Sequence, residues 1–356
     1  MEQEEQKTEQ MTEKKSHLFG MTLTELSAVA QQMGMPRFAA KQMSDWLYKK
    51  NVSDIAGMSN LSIKARTALA EHYDIGRTEP LATVTSADGT RKFLFDYEGH
   101  AVETAYIPDG HDDRNTLCVS SQFGCKMHCL FCMTGRQGFG GNLTAGQILN
   151  QMASAPDWEE LTNMVFMGMG EPMDNIDEVL KALSILTEPW GYAWSPRRIT
   201  VSTIGMPKPL KRFLDESQAH LAISLHAPTA QKREELMPAQ KGFPIAEVIE
   251  LLRQYDWSGQ RRLTFEYTIF EGVNDTAADA AELVRLLSPL RCRVNLIAFN
   301  PIPDTPLRGA KQKKMEWFRD QLNAKGLTAT IRLSKGQDIA AACGLLSTQN
   351  KQKQGE

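Results

Sequence analysis

The chain has 356 residues, with 40 Lys and Arg against 43 Asp and Glu, 42% hydrophobic residues and six cysteines. These fractions exclude a disordered or fibrous polypeptide, and no apolar run approaches the ~20 residues that a membrane-spanning helix needs. A formal net charge of −3 gives no global sign of a nucleic-acid partner, so any basic binding face must be local.

The first fifteen residues, MEQEEQKTEQMTEKK, are a charged run without the apolar segment of a secretory signal, which points to a cytoplasmic protein. In a reducing compartment six cysteines are metal ligands or reactive groups rather than a disulfide framework. Residues 1–20 and 347–356 are polar and read as disordered ends. Between 21 and 75 the apolar spacing is helical. Thr22 and Glu25 form a capping box ahead of Leu23, Leu26, Val29 and Ala30. A second helix starts at Pro36 and ends near Lys49 and Lys50, and a third covers 62–72. This is a small accessory domain, 21–80. From 81 the period changes to two, with turns at Asp88-Gly89 and Glu98-Gly99, giving a β-meander extension over 81–110.

From 111 to 346 short apolar strands alternate with amphipathic helices. The strands fall at 164–167, 198–202, 220–225, 263–270, 294–298 and 328–332, with helices such as 245–255, 277–287 and 314–324 between them. That alternation specifies an α/β fold with a parallel sheet, open or closed, whose chemistry sits at the carboxyl ends of the strands.

Cys125, Cys129 and Cys132 put three thiols within eight residues. A tetrahedral zinc site wants four ligands, and His128 would strain to join from inside so tight a loop. Three thiolates suit a [4Fe–4S] cube better, with one iron left open to another ligand. The other strand ends carry Gly170 and Glu171 in GMGEP, Ser202 in STIG, Ser224, Leu225 and His226 in SLHAP, and Asn300 in FNP. Each alone is ordinary turn or cap chemistry, but their repetition suits one polar ligand held at a common mouth. Cys118 lies just before the cysteine loop, and Cys343 lies in DIAAACG near the end of the chain. Cys292 reads as a core residue.

The C-x3-C-x2-C spacing is the signature of the radical S-adenosylmethionine (SAM) superfamily. Together with the stretch from Thr116 to Cys132, GMGEP, SPRRITVSTIG, ISLHAP, DIAAACG and the helical PRFAAKQMSDWLYKK, it resembles the RlmN/Cfr family of radical SAM RNA methyltransferases over essentially 21–346. The resemblance implies a partial (β/α)6 barrel beside an N-terminal helical domain that grips RNA. It implies a [4Fe–4S] cluster on Cys125, Cys129 and Cys132, and SAM bound by Gly170, Glu171, Ser202, Ser224, Leu225, His226 and Asn300. Two SAM molecules would serve each turnover, one as methyl donor and one as radical source. Cys343 would become S-methylcysteine, and a methylene radical on it would add to the base and link enzyme to RNA. Cys118 would remove the C2 proton so that the adduct fragments, with a Cys118–Cys343 disulfide as a product of that step. Glu103 matches a glutamate regarded as a proton acceptor, with a rim salt bridge as its equal alternative.

The implied substrates are an adenosine of 23S rRNA, methylated at C2, and the adenosine beside the tRNA anticodon. An electron donor such as flavodoxin with its reductase is implied, and nothing demands more than a monomer. One branch of the family methylates C8 instead and shares every motif quoted. A glycyl-radical activase and a non-enzymatic iron–sulfur or zinc protein that binds RNA are the other readings. Arg332 or Lys335 could lower the Cys343 pKa. Basic clusters at Lys49-Lys50, Arg197-Arg198, Arg261-Arg262 and Lys311, Lys313 and Lys314 are the candidate RNA contacts, each more simply read as solvated surface.

Overall fold

A computed structural model describes residues 15–108, 110 and 114–348. The chain divides into two compact units, 1–77 and 78–356.

The smaller unit contains β1 (Ser16–His17), α1 (Leu23–Gln32), α2 (Ala39–Ser44), α3 (Ile63–His72) and β2 (Tyr73–Asp74). The capping box of α1 is present: Glu25 N–H donates to Thr22 Oγ1 and Thr22 N–H to the Glu25 carboxylate. The helix expected from Pro36 begins at Ala39 and passes at Asp45 into a π-helical turn that runs to Lys49. The disorder expected through residue 20 does not extend that far. Ser16–His17 pairs in parallel with Tyr73–Asp74, and Leu18 and Phe19 are buried. Two adjacent apolar side chains are enough to anchor this edge. Residues 1–14 and 349–356, also expected to be disordered, lie outside the described residues.

The larger unit opens with the meander β3 (Ala82–Thr85), β4 (Arg91–Tyr97) and β5 (His100–Pro108). It continues through β6 (Asn115–Cys118), β7 (Gln122–Gly124), α4 (Met133–Gln137), β8 (Phe139–Asn142) and α5 (Ala145–Ala153). Then come β9 (Asn163–Phe166), α6 (Ile176–Thr187), β10 (Ile199–Thr203), α7 (Pro207–Glu216), β11 (His220–Ser224), α8 (Ala230–Leu236) and α9 (Ile245–Leu252). The last elements are β12 (Leu263–Ile269), α10 (Ala277–Leu287), β13 (Arg293–Ala298), α11 (Gln312–Ala324) and β14 (Ala329–Arg332). Ten strands form one sheet in the order β14-β13-β12-β11-β10-β9-β6-β5-β4-β3. From β6 to β14 every neighbouring pair is parallel, whereas β3, β4 and β5 add antiparallel strands. The meander is therefore continuous with the barrel sheet. Its tight turn works because Glu98 and Gly99 both take positive φ, as a two-residue hairpin requires.

The parallel strands are buried on both faces, so Val201, Leu221, Ala222, Phe265, Val294 and Leu296 have no exposed surface. Such strands cannot alternate with polar residues, which is why they read as short apolar runs. β14 and β3 end the sheet, and the barrel is partial. No helix among the described residues is long and apolar enough to cross a membrane.

Candidate active site

The cysteine loop is held at its neck. Gly124 has φ +83°, and a Cβ there would lie 1.8 Å from the Gly138 carbonyl oxygen, which accepts from Cys125 N–H at 2.9 Å. His128 takes the left-handed φ of +52° and places Nδ1 3.1 Å from the Gly135 carbonyl, away from any ligand role. Cys125 is buried and Cys129 and Cys132 half-buried. Burial pushes the Cys125 thiol up to about 12, and burial followed by the charges of Cys132 and Cys125 raises Cys129 well above its ordinary value. The three thiols thus share one electrostatic neighbourhood. Yet among the described residues no three His, Cys, Asp or Glu converge tightly enough to hold a single ion. One zinc would draw its sulfurs to ~2.3 Å from a common centre, whereas a cube presents separate irons to each thiolate. The donor set fits the cube.

GMGEP packs directly on the segment that leads into this loop. A Cβ on Gly168 would stand 2.7 Å from Ser120 Oγ, and one on Gly170, whose φ is +101°, 2.6 Å from Gln122 Cβ. Both positions exclude any side chain. Glu171 is buried, and its carboxylate accepts from Met173 N–H at 3.1 Å and Ile204 N–H at 3.0 Å, with the Thr203 hydroxyl as a further donor. It therefore ties the end of β9 to that of β10, while burial pushes its pKa up to about 7.

Ser202 Oγ and Ser224 Oγ stand 3.4 Å apart on adjacent strands. Leu225 is fully buried, so only its backbone can meet a ligand. His226 accepts Thr268 N–H at Nδ1 (3.0 Å), which leaves its proton on Nε2, and the Phe131 ring lies 4.7 Å away. Asn300 lies just past the end of β13, and its amide has partners within the protein. Its Nδ2 donates to the Cys343 carbonyl at 3.0 Å and its Oδ1 accepts from Gln337 at 2.7 Å, so it braces the Cys343 loop.

That loop is laced to both neighbours. Asp338 accepts from Ser86 Oγ at 2.6 Å and Gly336 N–H donates to Asp88 at 2.9 Å, tying it to the β3–β4 turn. Met133 N–H donates to the Gly344 carbonyl at 2.9 Å and Thr134 Oγ1 to that of Leu346 at 2.7 Å, tying it to the cysteine loop. Cys118, opposite Ala105 on β5, packs against Ala341, and all six cysteines are unbridged. Burial, followed by the charge of Cys343, pushes the Cys118 thiol up to about 12. Cys343 is exposed to solvent, but surrounding protein still desolvates its thiol, and with the charges of Cys132 and Glu266 this pushes it up to about 12. Arg332 acts in the opposite direction and is outweighed.

Glu103 pairs with Lys92 at 2.9 Å and also accepts the Ser347 N–H at 2.8 Å. Glu103 is buried and Lys92 half-buried, and burial raises the Glu103 pKa despite Lys92. Ser347, expected in the tail, is therefore part of this site. Lys92, Gln122 and Arg233 also escaped the sequence reading. Gln122 accepts Glu171 N–H at 2.8 Å and donates to Asn142 and Asp174, ties that no local pattern signals. Two of the basic pairs are half structural. Arg198 donates to the Thr162 carbonyl and stacks on Trp194, and Arg261 donates to the carbonyls of Ala219 and Leu214.

The sequence profile of the radical SAM superfamily matches 119–286, and that of the ribosomal RNA large subunit methyltransferase N-terminal domain matches 16–75. A Bacteroides fragilis protein described as a probable dual-specificity RNA methyltransferase RlmN is 57% identical over 94% of this chain and 97% of its own length. The dual-specificity RNA methyltransferase RlmN of Marinobacter nauticus is 42% identical over 93% and 92%. The crystal structure of a radical SAM methyltransferase from Sphaerobacter thermophilus superposes with a TM-score of 0.87 at 40% identity, covering 93% of this chain and 98% of that one. With that full-length similarity, the chain belongs to the RlmN family of radical SAM RNA methyltransferases, whose superfamily implies a [4Fe–4S] cluster and SAM.

Proposed function

We propose that the chain methylates C2 of an adenosine in 23S rRNA and of the adenosine beside the tRNA anticodon, using two SAM molecules per turnover. The observation that supports this reading is that Cys118 packs against Ala341, two residues before Cys343, while the Cys343 segment is itself bonded to the cysteine loop through Met133 N–H and the Gly344 carbonyl. Adenine C2 has no acidic proton and is electron-poor, so a displacement on SAM has no nucleophile to begin from. The cluster on Cys125, Cys129 and Cys132, with SAM, would supply a 5′-deoxyadenosyl radical. The residues of the chain do the rest. Cys343, accessible at the mouth, takes a methyl group on sulfur and then carries the RNA covalently. Once the adduct has given up its unpaired electron, which the cluster would take back, Cys118, buried behind it, removes the C2 proton and then bonds to the Cys343 sulfur. The C–S bond thereby breaks, the one-carbon unit leaves with the base as a methyl group, and the resulting Cys118–Cys343 disulfide is reopened by the reductant. Glu103, buried and paired with Lys92, accepts a proton, and Gly170, Glu171, Ser202, Ser224, Leu225 and His226 form the cofactor's bed. A flavodoxin-type reductant and a monomeric, cytoplasmic enzyme complete the reading.

Two variants test it. Cys343→Ala should abolish methyl transfer, and Cys118→Ala should leave enzyme joined to RNA. Free turnover by either contradicts the assignment. Mass spectrometry of digested RNA separates 2-methyladenosine from the 8-methyl product of the alternative branch.

A further inference from the structure

Among the described residues Arg233 is the largest fully buried side chain, and its environment is unusual for a cation. Nη2 donates to the carbonyls of Ile204 (2.7 Å) and Ser224 (3.1 Å), and Nη1 donates to Gln240 Oε1 (2.5 Å) and the Phe243 carbonyl (3.4 Å). Its fork therefore grips the residues that follow β10 and end β11, where the candidate ligand residues sit. The Nε–H is buried with no partner. Among the described residues Arg233 has no carboxylate within ion-pairing distance. Glu171, whose charge reaches it, has its oxygens bonded to Met173 and Ile204. A buried guanidinium without a counter-anion is costly, and an orphaned buried donor adds to that cost.

The cysteine loop packs against the wall that Arg233 grips. Ile204, whose carbonyl the fork takes, and Leu236, one turn beyond Arg233, share a buried cluster with Cys125, and Cys129 packs against it. The helix that carries Arg233 is fastened to the same loop, because Leu130 N–H donates to the Leu236 carbonyl at 3.0 Å. Three thiolates around a cubane are net negative and become more so on reduction. A fixed cation in a low-dielectric wall favours the reduced state, since net charge and hydrogen bonding at sulfur set such potentials.

We propose that Arg233 is a positioning residue that serves as buried counter-charge to the cluster on Cys125, Cys129 and Cys132, raising its reduction potential while its fork fixes the ends of β10 and β11. This rests on the presence of the cluster. The test uses full-length wild type, Arg233→Lys and Arg233→Gln, each reconstituted anaerobically with iron and sulfide. Iron and sulfide are counted, and the midpoint potential is read by EPR during a redox titration without SAM. Arg233→Lys should keep the potential close to wild type. Arg233→Gln should keep its iron but shift to a more negative potential, so that the share of cluster reduced at a fixed donor potential falls several-fold. A glutamine variant with a full cluster at the wild-type potential overturns the proposal. Equal loss of cluster or of fold in both variants overturns it too, because a brace without a charge role would then account for the residue. A wild type that takes up no cluster instead refutes the reading on which the inference stands.

Discussion

His226 illustrates how one residue is tuned by groups far away in sequence. Its backbone takes φ +54° and its Nδ1 is fixed by Thr268 N–H. Burial, with Arg233 as a nearby cation, holds its pKa down to about 3 from 6.5. Because the folded value is the lower one, the unfolded chain binds the extra proton between these limits. The stability contribution is complete above pH 6.5 and is lost as pH falls toward 3, with a slope approaching about 1.4 kcal/mol per pH unit. Urea unfolding of the metal-free protein at pH 6.5 and pH 5 should therefore show a smaller loss for His226→Gln than for wild type. Equal losses would remove His226 as the titrating group. The sequence marked His226 as a strand-end side chain, but its tautomer depends on a partner 42 residues away, which no local pattern encodes.

Among the elements, the segment after β14 carries most of what sequence reading could not see. The cysteine loop was legible because its ligands, glycines and turn residues lie within a dozen positions. The strands were legible as apolar runs with helical spacing between them. The Cys343 loop has neither signal, and its ties to Ser86 and Asp88 span 252 and 248 residues. Ser347 was read as tail for the same reason, although its N–H reaches Glu103 across 244 residues. Asn300, expected as a cofactor contact from its place after β13, also has its amide engaged with Cys343 and Gln337, a tie that its local sequence does not signal. Removing that amide takes one hydrogen bond from the part-buried Cys343 carbonyl, a loss of about 1 kcal/mol. Asn300→Ala should slow methyl uptake by Cys343, followed by mass of the Cys343 peptide, about tenfold or more, with iron content and SAM affinity unchanged. A fall in SAM affinity with normal methyl uptake would return Asn300 to the cofactor bed.

At the level of the whole molecule, a net charge of −3 gave no sign of an RNA partner. Averages conceal local charge, and burial sorts it further. Arg198 and Arg261 are spent on backbone carbonyls, whereas Arg197, Arg262, Lys311 and Lys313 are exposed. RNA affinity should fall steeply with salt, and Lys313→Ala should reduce the log–log slope by about one if that side chain meets a phosphate. An unchanged slope would take it off the RNA path. The central claim is the division of labour between Cys343 and Cys118. The most direct measurement is mass spectrometry of Cys118→Ala after incubation with SAM, reductant and RNA. A one-carbon bridge from the Cys343 sulfur to adenine C2 is the predicted result. Freely released methylated RNA, or a bridge at any other residue, would contradict it.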